Sequence, residues 1–296
     1  MKHLFTVLSF ILFFQLNTSG QKRFTEIGIF AGLANYYGDL SPNSQAMDPV
    51  FFTPVVGAFT RYNFNGYVSA KLHAYKAVLA GSDASAQVYR GNRARNLSFR
   101  TDLYELGLQV EVNFLEFLVH ERDHITTPYL FIGAAGIYYN PQAQLGNQWV
   151  NLRELGTEGQ GLPGYEAPYK VYSYAIPVGA GVKFNLNHLT NIGIEVGLRK
   201  SFTDYIDDVS GYYPNLQLLE QERGEVAARL SYRTPEYDND IAVDNPEGTR
   251  RGNPGDTDYY FFGGITISVN IGKKSGFKNR QKRSGKRAKK APKMEF

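Results

Sequence analysis

From Leu106 to Phe114 every second residue is apolar. Leu106, Leu108, Val110, Val112 and Phe114 alternate with Gly107, Gln109, Glu111 and Asn113, behind Glu105. The same period of two sets Ile192, Ile194, Val196 and Leu198 against Gly193, Glu195, Gly197 and Arg199. It sets Val68, Ala70, Leu72 and Ala74 against Ser69, Lys71, His73 and Tyr75. In residues 172–184, Tyr172, Tyr174, Ile176, Val178, Ala180, Val182 and Phe184 face small or polar partners. A repeat of two with one greasy and one wet side predicts strands. Weaker segments near 26–36, 54–64, 127–139 and 257–271 bring the expected number to eight.

Alternation alone leaves open which face points outward. A soluble lipocalin-like barrel keeps its apolar side inside, whereas an outer-membrane barrel turns it to lipid. Three features favour the membrane form. The apolar faces of the clear strands carry no charge, while the opposite faces concentrate Lys71, Glu105, Glu111, Glu195 and Arg199. Aromatic residues cluster at strand ends, as at Tyr172, Tyr174 and Phe184 and from Tyr259 to Phe262, in the manner of an interfacial girdle. The connections run to roughly 17, 3, 17, 12, 30, 5 and 50 residues, and outer-membrane barrels alternate short periplasmic turns with long outer loops in this way. The expected fold is an all-β, eight-stranded antiparallel transmembrane β-barrel with long outer loops. An even strand number puts both termini in the periplasm.

The leader supports export. Lys2 and His3 precede an apolar run from Leu4 to Leu16, and Thr18 and Gly20 are small enough for a cleavage site. Residues 1–20 read as a signal peptide, since the run is too short to span a bilayer comfortably and has no polar face. Residues 21–272 then form the barrel and residues 273–296 a tail.

Composition changes the picture in two places. The 296 residues contain no cysteine, which excludes disulfides, thiolate metal sites, a cysteine nucleophile and an acylated lipoprotein anchor. The net charge of +4 conceals a division. Residues 21–271 hold 20 positive and 27 negative side chains, a net of −7. The tail holds Lys273, Lys274, Lys278, Arg280, Lys282, Arg283, Lys286, Arg287, Lys289, Lys290 and Lys293. With few large apolar residues it is expected to be disordered alone. A periplasmic tail meets no nucleic acid, so its expected partners are acidic lipid surface, peptidoglycan or an acidic protein subunit, against the alternative of a solvated tail with none.

Several phrases in series carry a resemblance. They are Glu26-Ile-Gly-Ile-Phe30, Asn35-Tyr-Tyr-Gly-Asp-Leu40, Arg95-Asn-Leu-Ser-Phe-Arg100, Thr127-Pro-Tyr-Leu-Phe-Ile-Gly133 and Tyr139-Asn-Pro-Gln-Ala143. Leu155-Gly-Thr-Glu-Gly-Gln-Gly161, Ile176-Pro-Val-Gly179, Phe202-Thr-Asp-Tyr-Ile-Asp-Asp-Val-Ser-Gly211, Arg251-Gly-Asn253 and Asp258-Tyr-Tyr260 follow. In this order they resemble the DUF6089 family of Bacteroidetes outer-membrane barrels, the PorG-like components of the type IX secretion system. The resemblance covers about residues 26–272. It implies an outer-membrane protein attached to a periplasmic ring of PorK- and PorN-like subunits, and it implies no catalytic residues and no cofactor. The tail lies outside the shared region.

Candidate chemistry is sparse. Asp204, Asp207 and Asp208 offer carboxylates for Ca²⁺, but their spacing is not that of an EF-hand loop, and acceptance of backbone N–H groups explains them as a loop anchor. No metal is expected. Gly156-Thr-Glu-Gly-Gln-Gly161 lacks the Lys-Ser/Thr of a phosphate loop and reads as a flexible outer loop. His73 with Ser69 and Glu105 or Glu111 has the residue types of a lipid deacylase, yet Ser69 sits at the inner end of its strand facing the lumen. A lumen network of Lys71, His73, Glu105, Glu111, Glu195 and Arg199 is the expected role. The leading expectation is a non-enzymatic anchor for a secretion ring. A receptor or transport barrel that binds an extracellular ligand through its long loops is the alternative.

Overall fold

The computed structural model describes residues 23–41, 51–85, 90–119, 125–187 and 189–271. The signal peptide and the basic tail expected above lie outside the described residues. Eight long strands make the barrel: β1 (Phe24–Tyr37), β2 (Thr53–Asn63), β3 (Val68–Ser82), β4 (Ser98–Asn113), β5 (Thr126–Leu145), β7 (Tyr172–Asn185), β8 (Thr190–Ser201) and β9 (Tyr259–Ile271). Each pairs antiparallel with its neighbours in the chain, and β1 pairs β9 to close the ring. A ninth strand, β6 (Gln148–Asn151), pairs only with the far end of β5 and lies outside the ring. Closure removes every barrel edge, so no strand offers unsatisfied backbone groups to lipid. Among the described residues no helix is long and apolar enough to cross a membrane.

The apolar faces point outward. Ile27, Leu72, Leu108, Ile132, Val178, Ile194 and Ile267 are each about half exposed, in a band around the wall. Glu26, Lys71, Glu105, Glu111, Lys183, Glu195 and Arg199 occupy the alternate positions and are buried. This is the inverse of a soluble barrel and the arrangement of an outer-membrane one. The strand ends that lead into connections 64–67, 114–125 and 186–189 lie at one end of the barrel, together with Phe24 and Ile271. The strand ends that lead into the longer connections 38–52, 83–97, 146–171 and 202–258 lie at the other.

Two expectations need correcting. β3 and β4 run well past the alternating segments at 68–75 and 105–114, because their inward residues change from polar to apolar toward the long-loop end: Ala77, Leu79, Phe99 and Leu103 are buried there. Tyr260 and Phe262, assigned to a girdle, face inward and are buried. Tyr172, Tyr174 and Phe184 do face outward.

Among the described residues five short α-helices decorate the long loops: α1 (Arg90–Arg95), α2 (Leu152–Leu155), α3 (Leu216–Arg223), α4 (Glu225–Ser231) and α5 (Thr234–Tyr237). Asn215 caps α3 by accepting from the Leu218 N–H at 2.9 Å. Leu219, Ala227 and Leu162 pack together, as do Leu230, Leu152 and Ala143, which seats α3 and α4 on the β5–β6 hairpin.

Ile194 lies near mid-height of β8 on the outward face. Ile194→Arg is expected to cost about 2–4 kcal/mol of folding free energy in lipid vesicles. An unchanged urea midpoint would contradict a lipid-facing wall.

Candidate functional site

The lumen is filled by charge in balance. Among the described residues it holds four carboxylates (Glu26, Glu105, Glu111, Glu195) and four cations (Arg61, Lys71, Lys183, Arg199), all buried. Glu111 is the hub. Arg61 Nε lies 2.9 Å and Lys183 Nζ 2.6 Å from its Oε2, and Lys71 Nζ lies 3.9 Å from its Oε1. Arg61 Nη1 also donates to Glu26 at 2.9 Å, where Asn63 and Ser268 donate as well. Lys71 reaches across to Glu195 at 2.5 Å, and Tyr129 donates to the same carboxylate at 2.8 Å. Higher in the barrel, Glu105 lies 2.8 Å from His73 Nε2 and accepts from Tyr260 at 2.6 Å. Arg199 Nε stands 3.8 Å from Glu105, with its guanidinium 4.4 Å from the centre of the Phe262 ring. A Cβ at Gly107 would stand 2.6 Å from the His73 ring, so only glycine leaves room for it. An eight-stranded barrel is just wide enough for such side chains to fill it.

Residues 114–119 close the short-turn mouth. Phe117 and Val119 are buried there, and the Phe117 N–H donates to Gly66 O at 3.0 Å. Asn113 Nδ2 donates to the same carbonyl at 2.9 Å, and the Phe117 ring sits 6.0 Å from Lys183 Nζ. A Cβ at Gly66 would stand 2.5 Å from Glu116 Cγ and 3.2 Å from the Phe117 nitrogen, so the two turns pack closely at this glycine.

The long-loop mouth carries a cap. Ile206 and Val209 are buried among Phe30, Tyr36, Leu79, Phe99, Leu103 and Tyr260. Thr101 Oγ1 donates to Ile206 O at 2.9 Å and the Ile206 N–H to Asp258 Oδ2 at 2.8 Å. Asp208 has a left-handed backbone (φ 69°), which Asp tolerates better than most residues. Thr157 and Tyr169 donate to its carboxylate at 2.5 and 2.7 Å. Two arginines lace the loops. Arg251 bonds Glu158 at 3.0 Å, the Asp208 carboxylate at 3.3 Å and the Asp208 carbonyl, while Glu158 accepts from the Ser210 and Gly211 N–H groups. Arg95 grips Asp83 through two contacts of 2.7 and 2.9 Å and also donates to Asp39 O and Arg251 O.

Tyr36 Oη lies 2.7 Å from both Asp207 Oδ2 and Asp258 Oδ1. A phenol has one proton, so both contacts are hydrogen bonds only when one carboxyl is itself protonated. Burial raises Asp207 well above the usual carboxylate range, and the Asp258 charge adds to it. Burial likewise lifts Asp258 to about 7 and Asp208 to about 6. Asp204 rises to about 8, through burial and then the Asp258 charge.

The lumen network expected from the sequence is brought together. Lys71, Glu111 and Glu195 form its lower part and His73, Glu105 and Arg199 its upper part. Ser69 bonds Glu111 at 3.3 Å and lies 3.5 Å from Lys183, while His73 turns to Glu105 and stacks on Tyr75. Asp204, Asp207 and Asp208 do not converge, and among the described residues no group of three His, Asp or Glu stands close enough to hold a metal. The stretch Gly156–Gly161, expected as a flexible loop, is instead part of the cap, with Thr157 and Glu158 buried. Sequence reasoning missed Glu26, Arg61 and Lys183. Each is a charge on the wet side of a strand, the same signal that marked the others.

The sequence profile of a domain of unknown function, DUF6089, matches residues 2–224. Among solved structures, the N-terminal β-barrel domain of OprF from Pseudomonas aeruginosa is 9% identical, covers 86% of this chain and 100% of its own, and has a TM-score of 0.35. The attachment invasion locus protein Ail of Yersinia pestis, in complex with the heparin analogue sucrose octasulfate, is 8% identical over 84% and 99% of the two chains, with a TM-score of 0.39. Neisserial surface protein A is 9% identical over 83% and 97%, also with a TM-score of 0.39. No curated protein matches the chain.

Two outcomes follow from this geometry. Glu111→Gln leaves Arg61 and Lys183 buried without their shared counter-charge and is expected to cost about 3–5 kcal/mol, seen as a lower urea midpoint of the folded barrel band. Pairing it with Lys183→Met is expected to recover part of the loss. For the cap, the folded carboxyls at 204, 207, 208 and 258 bind protons more tightly than the unfolded ones, whose ordinary value is 3.8. The folded cap therefore loses stability as pH rises from about 4 through about 8. Hydrogen exchange of residues 202–258, corrected for intrinsic rate, is expected to show several-fold less protection at pH 8.5 than at pH 5.5. Protection that ignores pH, or an unchanged pH profile in Asp258→Asn, contradicts this.

Proposed function

The chain belongs to the DUF6089 family, and we propose that it is a non-catalytic outer-membrane anchor for the periplasmic ring of a type IX protein-secretion machine. The role is PorG-like, toward PorK- and PorN-like subunits. The observation that favours an anchor over a pore is the sealed lumen: ion pairs fill its middle, Phe117 and Val119 its short-turn mouth, and Ile206 and Val209 its long-loop mouth. A barrel so filled supplies position and orientation in the bilayer rather than a path through it.

The arrangement of the ends supports the same reading. Thr25 of β1 pairs Ile271 of β9, so the first and last barrel strands begin and end beside the short turns. With that end periplasmic, as in bacterial outer-membrane barrels, the sequence from Lys273 onward follows a strand end on the side of the ring. Its eleven Lys and Arg side chains suit an acidic subunit surface, the inner lipid surface or peptidoglycan. The long-loop end then faces the exterior.

Pull-down of the tagged full-length protein after crosslinking in intact cells is expected to retrieve ring subunits through the 114–125 turn and the tail. Deleting 273–296 is expected to weaken that capture, while deletion within 212–250 leaves it intact. Retrieval of no ring subunit would remove the secretion assignment, and steady single-channel conductance of the purified protein in planar bilayers would remove the sealed anchor.

A further inference from the structure

The pairing register sets Val56, Lys76, Tyr104, Tyr138 and Tyr172 side by side across five strands, all on the outward face. The next row toward the short turns holds Ala58, Ala74, Leu106, Gly136 and Tyr174. Gly136 has no side chain and Ala74 only a methyl, so the wall is recessed between Leu106 (63% exposed) and Tyr174 (74% exposed). The recess is an open groove of about 840 Å³. A Cβ added at Gly136 would meet nothing within 4 Å.

Charge is placed at one end of this groove. Among the described outward-facing strand residues only Lys76, Arg100, Asp102 and Lys200 are charged, three of them cations. Lys76 lines the groove, with Nζ 5.3 Å from the centre of the Tyr104 ring; Tyr104 and Tyr138 are 6.2 Å apart. Lys170 Nζ lies 5.9 Å from the Tyr172 ring. Beyond the tyrosine row toward the long loops the wall turns polar, with Asp102 and Asn140 and then Arg100 and Gln142. Tyrosine rings in a row below polar residues mark the lipid–water boundary, and a lysine there extends its ammonium toward headgroups. The groove is therefore apolar where acyl chains lie and cationic where phosphates lie.

We propose that this groove binds an anionic phosphoglycolipid of the lipid A type. One acyl chain lies over Ala74 and Gly136, and a phosphate rests on Lys76 beside Tyr104 and Tyr138. Shape selects a single chain at the recess, and Lys76, Arg100 and Lys170 against Asp102 leave a positive balance for the phosphate. The choice of an outer-leaflet lipid follows from the long-loop side of the groove and rests on the orientation proposed above.

The test is native mass spectrometry of the full-length, delipidated protein titrated with diphosphorylated lipid A, phosphatidylglycerol or phosphatidylethanolamine. One equivalent of lipid A is expected to bind about tenfold tighter than phosphatidylethanolamine, the scale of one charge-assisted contact. Gly136→Leu fills the recess in open space and is expected to abolish the preference while the folded band on unheated gels stays unchanged. Lys76→Gln is expected to remove about tenfold for lipid A and leave phosphatidylethanolamine unaffected. Lipid A binding that survives Gly136→Leu overturns the groove, and binding indifferent to Lys76 overturns the phosphate contact. A Gly136-dependent preference for phosphatidylglycerol overturns both the choice of lipid and the orientation. None of these results depends on ring subunits, so the secretion reading stands or falls separately.

Discussion

A charge sealed inside a barrel has no bulk water to return to, and its neutralisation must be built from side chains on facing strands. That constraint organises this protein. Glu111 draws Arg61, Lys71 and Lys183 from β2, β3 and β7, and Lys71 carries the network on to Glu195 of β8. Burying ion pairs is costly, and the return comes only when each member has several good contacts. Here one carboxylate serves three cations, so the register of β2, β3, β4 and β7 is tied to one point. A slip of a single residue in any of them would turn a charged side chain to lipid.

The lumen is nonetheless two materials. Its short-turn half is polar and charged, and its long-loop half is aromatic and aliphatic beneath the cap. The cap reaches the ring strands through Thr101, Tyr36 and Asp258 and is held across loops by Arg95 and Arg251. Arg95, Thr157, Glu158, Asp207, Asp208, Arg251 and Asp258 all belong to the phrases that carried the family resemblance, and they meet in one place. The loops are thereby part of the folded body, with backbone groups satisfied by buried side chains rather than by solvent.

How much of this was legible follows from where polarity and period agree. Wherever the outward side is aliphatic and the inward side charged, as in β4 from Glu105 to Asn113 or in β8, the alternation announces both strand and face. At the long-loop end the signal fails for a physical reason. Inward Leu79, Phe99 and Leu103 stand opposite outward Lys76, Arg100 and Asp102, so the hydropathy contrast shrinks or inverts, and the strands read too short. Tyr260 and Phe262 were misassigned for the same cause, since an aromatic row suits a girdle and a capped lumen alike. The ion pairs were readable as members but not as partners, because pairs such as Lys71–Glu195 join residues far apart in the chain. The role of Gly156–Gly161 was not legible, because what orders it is Asp208 and Arg251 from another loop.

The closure of β1 on β9 has a mechanical meaning. β9 ends at Ile271, beside the first residues of β1, and is paired along thirteen residues to β1 and eleven to β8. Tension applied to the chain just past Ile271, toward the short-turn side, acts nearly along the strand axis. The ladder bonds lie across that axis, so the load is shared by all rungs on both flanks at once. Peeling, which breaks rungs singly, requires a pull from the side. A tether leaving at this point is attached where the barrel resists extraction in shear.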